Sequence, residues 1–280
     1  MASDGCAIGE QHSYSGGLVG GISMRTRVDP RIFLTYRARD IQTTMSSYPT
    51  CVDIAETPDS ALAKLHLGDF DQAPVTSNNT VIGWILQKDI DASKSLEKVF
   101  RPLSHIHLIS DDSPLDDALQ RLVHQELIFT IGSKGIDGFI VRSDIQRHVS
   151  RAHMYLLISG LEILMTRNVE FENRSVKDLV NLMSVSSRDA WERAKAEKND
   201  ANPIEYLDLK ALGIAISQNQ NLLNHVGTSR NNWLSYIDIL VKLRNGVAHS
   251  NAEQIINYPF PEIVKVLKET EEFIRKINNF

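Results

Sequence analysis

The spacing of hydrophobic and polar positions along the chain changes near residue 152. Before that point the apolar residues form short runs separated by turn residues, which is typical of short strands alternating with helices. After it they recur every three to four residues, the spacing that buries one face of an amphipathic helix. The pattern predicts an α+β chain, with mixed elements over residues 31–152 and a helical bundle over residues 153–280. Residues 1–30 are rich in Gly and Ser and show neither pattern, which predicts a flexible tail.

Two segments of the mixed region repeat each other at an offset of 55 to 57 residues. Each opens with a hydroxyl residue followed by proline, Thr57-Pro58 and Ser113-Pro114, in which the hydroxyl can cap a helix and the proline suits its first turn. Each continues with two short apolar strands, and the second strand contains a glycine and is expected to lead into another helix. One such unit is too small to bury its own sheet, so the two units are expected to pack together.

This repeat resembles the CBS domain, which occurs as a pair packed through its sheets. In the CBS pairs that bind adenosyl ligands, a glycine and an aspartate six positions later belong to a ribose-phosphate site. The resemblance implies an adenine nucleotide or S-adenosylmethionine as a regulatory ligand. The residues that match this motif are Gly83 with Asp89 and Gly138 with Asp144.

The ribose-phosphate motif is incomplete at one position. Leu86 and Val141 stand where the motif has serine or threonine, so Arg142 is expected to supply the phosphate contact. An aspartate at the start of a helix can accept hydrogen bonds from both ribose hydroxyls. The alternative is that Asp89 and Asp144 only cap the helices that follow them, a role that the same position favours.

The second half of the chain predicts helices throughout. The predicted helices cover residues 153–168, a segment after a capping box at 175–178, residues 204–223, a segment through Trp233 and Leu243, and a last segment opened by Pro259 and Pro261.

Near the end of the fourth predicted helix lies the run Leu243-Arg244-Asn245-Gly246-Val247-Ala248-His249. It resembles the signature of the HEPN family, an arginine followed by a polar residue and then, several positions later, a histidine within a helical bundle. A similar spacing of Arg and His also occurs at Arg101 with His107, Arg142 with His148, and Arg147 with His153. The spacing alone is therefore not specific. What distinguishes the last instance is its asparagine and its place late in an all-helical region.

The residues of this run suit metal-free cleavage of RNA by its own 2′-hydroxyl. His249 can transfer protons near neutral pH, and Arg244 supplies a permanent planar cation that matches phosphate oxygens. Asn245 is expected to orient the histidine or to hold a phosphate oxygen. Glu162, on the first helix, corresponds to the inward polar residue with which HEPN domains hold the arginine. Gly246 is expected to bend or end the helix, so that Arg244 and His249 converge.

These features predict a metal-independent endoribonuclease that needs no catalytic cofactor and is gated by the ligand of the CBS pair. Because each chain offers a single Arg–His pair, a homodimer or larger even assembly is expected to complete the site. In the alternative for these residues, Arg244 pairs with a carboxylate, His249 caps a helix end, and Glu162 is a surface residue. The corresponding alternative function is a non-catalytic nucleotide-sensing or scaffold protein, whose helical domain dimerises or binds a partner.

The charge balance and the cysteine content limit which partners and which cellular compartment are expected. Residues 1–150 carry 14 Lys and Arg against 19 Asp and Glu, and residues 151–280 carry 16 against 16. Neither half has the basic excess of a protein that grips long duplex nucleic acid, so any contact with RNA is expected to be local. Cys6 and Cys51 form no CxxC pair, which disfavours a disulfide framework or a cysteine-built metal site. No apolar run suits a membrane span or a secretory signal, so a cytoplasmic location is expected.

Overall fold

The computed structural model describes residues 36–45, 51–197, 201–248 and 258–280. The strands in these ranges are β1 (Thr43–Thr44), β2 (Val52–Asp53), β3 (Gln72–Ser77), β4 (Thr80–Leu86), β5 (Arg101–Pro102), β6 (Leu108–Ser110), β7 (Leu127–Gly132) and β8 (Gly135–Val141). The α-helices are α1 (Ala38–Ile41), α2 (Pro58–Gly68), α3 (Leu115–His124), α4 (His148–Phe171), α5 (Val176–Leu182), α6 (Val185–Ala196), α7 (Leu209–Ile216), α8 (Gln220–Val226), α9 (Arg230–Ala248) and α10 (Phe260–Ile277). The predicted α+β class is confirmed.

The two sheets are built in the same way. One has the strand order β2-β3-β4-β5 and the other β6-β7-β8-β1, with the first pair of each parallel and the rest antiparallel. The short strand β5 precedes the second repeat but extends the sheet of the first, and β1 precedes the first repeat but extends the sheet of the second. The register shifts fall at equivalent places, after Val75 and after Thr130. The sequence repeat is therefore also a structural repeat.

Gly83 and Gly138 allow the two added strands to approach closely. A Cβ atom at Gly83 would lie 2.1 Å from the carbonyl oxygen of Arg101, and one at Gly138 would lie 2.8 Å from the carbonyl oxygen of Thr43. Both distances are shorter than any tolerated contact, so a larger residue would displace β5 or β1. The two glycines thus have a structural role that does not depend on a ligand.

The helix starts of the two repeats differ. Thr57 caps α2 as predicted, because its hydroxyl accepts the backbone N–H three residues later at 3.3 Å. The prediction that Ser113 caps α3 is wrong, since Pro114 occupies the N-cap position and no side chain caps the helix. The backbone N–H of Leu115 instead donates to the carbonyl oxygen of Tyr36 at 3.1 Å, so the segment before α1 satisfies it.

The first repeat lacks the second helix that the sequence predicts. After β4 it forms only a single 3₁₀ turn, Gln87–Asp89. The Asp91 carboxylate then accepts the backbone N–H of Ser93 at 2.9 Å and its hydroxyl at 2.7 Å, a local turn that competes with helix. The second repeat has the longer 3₁₀ turn Arg142–Gln146, which leads directly into α4.

The second repeat and the helices share one hydrophobic core. Helix α4 has 24 residues and crosses the boundary predicted at 152/153 without a break. The second repeat contributes to this core residues of β6, α3, β7, β8 and the following turn: Ile109, Leu115, Ala118, Leu119, Leu122, Ile128, Ile140 and Ile145. The first repeat has its own core, formed by Val52, Ala61, Leu65, Ala73, Val75, Ile85 and Leu96. A third cluster joins the sheets and consists of Trp84, Leu86, Leu127, Phe129 and Phe139.

Capping side chains divide the bundle more finely than the apolar spacing predicts. The single helix predicted over 204–223 is wrong, because the carboxylate of Asp208 caps α7 and the amide oxygen of Asn219 caps α8. Ser175 caps α5 as predicted, but Ser184 starts a separate helix, α6. A cap satisfies N–H groups that have no partner inside a helix, so each cap fixes a helix start. None of the helices in the described ranges is long and apolar enough to cross a membrane.

Candidate functional site

Helices α4 and α9 bring Glu162 and Arg244 together. Both side chains are half-buried, and the positive charge of Arg244 acts on the Glu162 carboxyl. The guanidinium of Arg151, on α4, donates to the carbonyl oxygen of Val247 at 2.8 Å and so ties the last turn of α9 to α4. The Nε atom of Arg244 is buried and has no hydrogen-bond partner in the part of the chain that the structure describes. An unsatisfied buried donor is costly, so Arg244 is held in this position at a cost in stability.

The structure describes the Leu243–His249 run as far as Ala248. Asn245 is half-buried beside Arg244. Helix α9 continues through Gly246 to Ala248, so the expectation that this glycine ends the helix is wrong. Gly246 is buried within the helix. His249 lies outside the described residues, and its convergence with Arg244 stays a prediction.

The environment of Glu162 favours the neutral carboxylic acid. Burial raises its pKa above the ordinary value of 4.5 and is the largest effect. The charge of Arg244 lowers this pKa, and the negative charge of Asp208 raises it again. Glu162 is therefore a carboxyl whose ionisation depends on its neighbours, and a half-buried one rather than the surface glutamate of the alternative.

A second candidate site is a cleft between the two repeats, of about 530 Å³. It is called the Trp84 cleft here, and its lining residues are Trp84, Arg101, Pro102, His107, His124, Gln125, Glu126 and Arg142. Trp84 is only 3% exposed, and its indole N–H is buried without a hydrogen-bond partner in the described ranges. The His107 ring meets the Trp84 ring edge-on, with centroids 6.1 Å apart. Burial lowers the pKa of His107, which favours the neutral imidazole.

Arg101 is the central cation of this cleft. Its guanidinium lies 4.7 Å from the centroid of the Trp84 ring, within the range of a cation–π interaction. One Nη atom donates to the Glu126 carboxylate at 2.6 Å, and the other donates to the Asp89 carboxylate at 2.9 Å. All three charged side chains are partly exposed, so these ion pairs stabilise the fold only modestly. An anionic ligand can therefore compete for Arg101.

The two aspartates predicted to bind ribose have different surroundings. Asp89 is partly exposed and paired with Arg101. Asp144 is 5% exposed and accepts the backbone N–H of Val141 at 2.8 Å and the Nε–H of Arg147 at 2.6 Å. Burial is the largest effect on Asp144 and raises its pKa. Neither aspartate caps the helix that follows it: Asp144 bonds back to Val141 within its own 3₁₀ turn, α4 has no side-chain cap, and Asp89 pairs with Arg101.

Sequence reasoning missed Trp84, Arg101 and Glu126. Arg101 with His107 is one of the Arg–His spacings that the sequence offers away from the helical region, and both residues line the Trp84 cleft. The sequence offered one indication of a role for Arg101, namely its position between the two repeats. Its contact with Glu126, 25 residues away, depends on the pairing of β5 with β4, which no local pattern reveals.

The chain matches no protein-family model and no curated protein. Among solved structures it is similar to a hemolysin-like protein containing a CBS domain from Oenococcus oeni PSU, with 20% identity and a TM-score of 0.35, over 39% of this chain and 87% of that one. It is similar to CBSX2 from Arabidopsis thaliana, with 18% identity and a TM-score of 0.35, over 39% and 91%. A third is the CBS domain of a bacterial CNNM/CorC family Mg²⁺ transporter in complex with ATP, with 14% identity and a TM-score of 0.36, over 41% and 87%.

Replacing Glu162 with glutamine is expected to change how stability depends on pH. Because the folded state holds the Glu162 proton more tightly than the unfolded state, the contribution of Glu162 to the free energy of unfolding should fall as pH rises through 4.5 and through the raised folded-state pKa. Glutamine does not titrate, so Glu162→Gln should gain stability relative to the wild type between about pH 4.5 and pH 7. Urea unfolding across this range measures the difference, with the exposed Glu170→Gln on the same helix as control. If the wild type instead becomes more stable relative to the variant as pH rises, the charge of Arg244 affects the pKa of Glu162 more strongly than burial does.

Proposed function

We propose that this chain is a metal-independent endoribonuclease of the HEPN type, controlled by an adenine nucleotide bound to its CBS-type pair of repeats. The observation that carries the catalytic part is the packing of α9 on α4, which places Arg244 close enough to lower the pKa of the Glu162 carboxyl. Arg244 belongs to the Leu243–His249 run, and the HEPN resemblance implies that Glu162 positions this arginine. The two residues are 82 positions apart in the sequence. Their proximity is thus independent of the motif itself.

Each residue of this site has a distinct role in the proposed reaction. The RNA 2′-oxygen attacks the adjacent phosphorus and loses its proton to a base, while the 5′-oxygen leaves and gains a proton. His249 serves in proton transfer, and Arg244 neutralises the charge that develops on the phosphate oxygens. Glu162 positions Arg244, and Asn245 orients the histidine or a phosphate oxygen. The products are a 2′,3′-cyclic phosphate and a 5′-hydroxyl, and two chains together supply the acid and the base.

The Trp84 cleft is the proposed nucleotide site. Its volume lies within the range of ordinary small-molecule sites. Arg101 and Arg142 suit phosphate, and the unpartnered indole N–H of Trp84 is a further donor. In this proposal the phosphates replace Glu126 and Asp89 as the acceptors of Arg101. S-adenosylmethionine, which carries no phosphate, is the weaker candidate on this lining.

The alternative is a nucleotide-sensing scaffold without catalysis. The same proximity of Arg244 and Glu162 favours it, because an arginine beside a half-buried carboxyl also serves a purely structural purpose. In that case the helical domain dimerises or binds a partner. Cleavage assays separate the two functions, since only the first requires a phosphate next to Arg244.

Replacing Arg244 with alanine is expected to remove RNA cleavage. The loss should be roughly 10²–10³-fold, the contribution of one donor that stabilises a transition state, and His249→Ala should cost about 10²–10⁴-fold. The assay uses purified protein, mixed RNA and EDTA, with product ends identified by mass spectrometry. Arg230→Ala, an exposed arginine on the same helix, is the control. RNA carrying 2′-O-methyl groups should resist, because its nucleophile is blocked.

Two results of this assay would overturn the catalytic proposal. Cleavage that survives both substitutions, or that EDTA abolishes, would place the chemistry elsewhere. No cleavage by the wild-type protein, with or without ATP, would favour the scaffold.

Replacing Arg101 with methionine is expected to weaken binding of ATP and AMP. Methionine retains an apolar side chain over Trp84 but removes the cation, so affinity should fall by about tenfold or more, the value of a charge-assisted hydrogen bond. Isothermal titration of the full chain measures this, with the exposed Lys98→Met as the charge-matched control. Equal affinity of Arg101→Met and wild type would exclude the Trp84 cleft as the nucleotide site.

A further inference from the structure

Arg142 contacts both the second repeat and the last helix. It is the first residue after β8, and its guanidinium lies at the end of α3. The Nε–H donates to the carbonyl oxygen of Leu122 at 2.8 Å, and an Nη atom donates to that of Val123 at 3.2 Å. These carbonyls belong to the last turn of α3, where the helix itself offers them no donor. The same guanidinium lies 5.9 Å from the centroid of the Phe260 ring.

Phe260 is the first residue of α10. Its ring is half-buried and packs against the core shared by the second repeat and the helices. Helix α10 also lies along α3, where Val264 and Leu267 face Leu119 across a narrow gap. The guanidinium of Arg142 therefore joins the end of α3 to the start of α10 at the edge of the shared core.

Arg142 is also exposed to ligands from two sides. It lines the Trp84 cleft and a second cleft between the repeats, of about 380 Å³. The residues of this second cleft fall largely into pairs that the 55-residue repeat relates: Asp71 with Glu126, Leu86 with Val141, Gln87 with Arg142, and Lys88 with Ser143. The partner of Arg142 in this symmetry is Gln87, a neutral residue. The first repeat thus has no counterpart to the cationic link.

We propose that Arg142 transmits occupancy of the Trp84 cleft to the helical domain. A phosphate group in the cleft competes for the guanidinium and withdraws it from Phe260 and from the end of α3. The first turn of α10 then loses a contact that holds it to the second repeat. This inference rests on the proposed nucleotide site and names how that site regulates the helices.

Ligand binding and the contact of Arg142 with Phe260 are thermodynamically linked, so a change in one must affect the other. If the ligand must break the contact of Arg142 with Phe260, removing the contact in advance makes binding more favourable. An exposed cation–π contact corresponds to about two- to fivefold in an equilibrium constant. Phe260→Leu retains an apolar side chain but has no π face, so it should bind ATP about two- to fivefold more tightly than the wild type.

The experiment combines ATP titration with hydrogen exchange of the full chain. In the wild type, saturating ATP should accelerate exchange in residues 260–264. In Phe260→Leu, exchange there should already be faster without ATP and should change little when ATP is added. Phe171→Leu is the matched control, because Phe171 is 67% exposed at the far end of α4. Arg142→Gln, which installs the residue found at the equivalent position of the first repeat, should both accelerate this exchange and weaken ATP binding.

The outcomes distinguish this inference from the function on which it rests. ATP binding without any change in residues 260–264, together with unchanged affinity in Phe260→Leu, would overturn the link through Arg142 and leave nucleotide sensing intact. Absence of ATP and AMP binding to the wild type at millimolar concentration would overturn both. Tighter binding of Phe171→Leu by the same factor would show that the effect is not specific to the Arg142 contact.

Discussion

The hydrophobic core shared by the second repeat and the helices is the constraint on which the rest of the structure depends. Helix α3 packs on strand β7 of the second sheet, α10 packs on α3, and α4 packs on α10, so that all three contribute to one core. A fully buried aliphatic side chain contributes roughly 1.5–3 kcal/mol, so the buried residues that the second repeat adds to this core represent much of its stability. The second repeat is therefore expected to depend on the helices, whereas the first repeat has a small core of its own.

This arrangement breaks the symmetry of the repeat. The first repeat replaces its second helix with a 3₁₀ turn, and the second repeat extends its equivalent segment into the 24 residues of α4. Equivalent positions of the two repeats in the cleft between them also carry different side chains. Arg142 lies beside α10, whereas Gln87, the residue at the equivalent position of the first repeat, is neutral. A ligand that binds between the repeats thus meets a cation connected to the helical domain on one side only.

The sequence predicts those parts of the fold that local patterns determine. The 55-residue offset predicts strands β3, β4, β7 and β8, because strand patterns and turn residues recur, but not the short strands that complete the two sheets. The caps at Thr57 and Ser175 follow from side-chain chemistry. The start of α4 at His148 was not predicted, since the turn before it and the helix itself are stabilised by tertiary burial. Of the residues proposed for catalysis, Glu162 and Arg244 were expected to lie near each other because of the family resemblance. Arg101 and Trp84 were missed because their site exists only once β5 pairs with β4.

The measurement that tests this account most directly is hydrogen exchange of the full chain at increasing urea concentration. If the shared core is the central constraint, strands β7 and β8 should lose protection together with α4, α9 and α10, as one cooperative unit. Strands β3 and β4 of the first repeat should lose protection separately, at a lower urea concentration. Loss of protection of both repeats together, with the helices separate from them, would mean that the chain consists of two independent modules and would contradict the account.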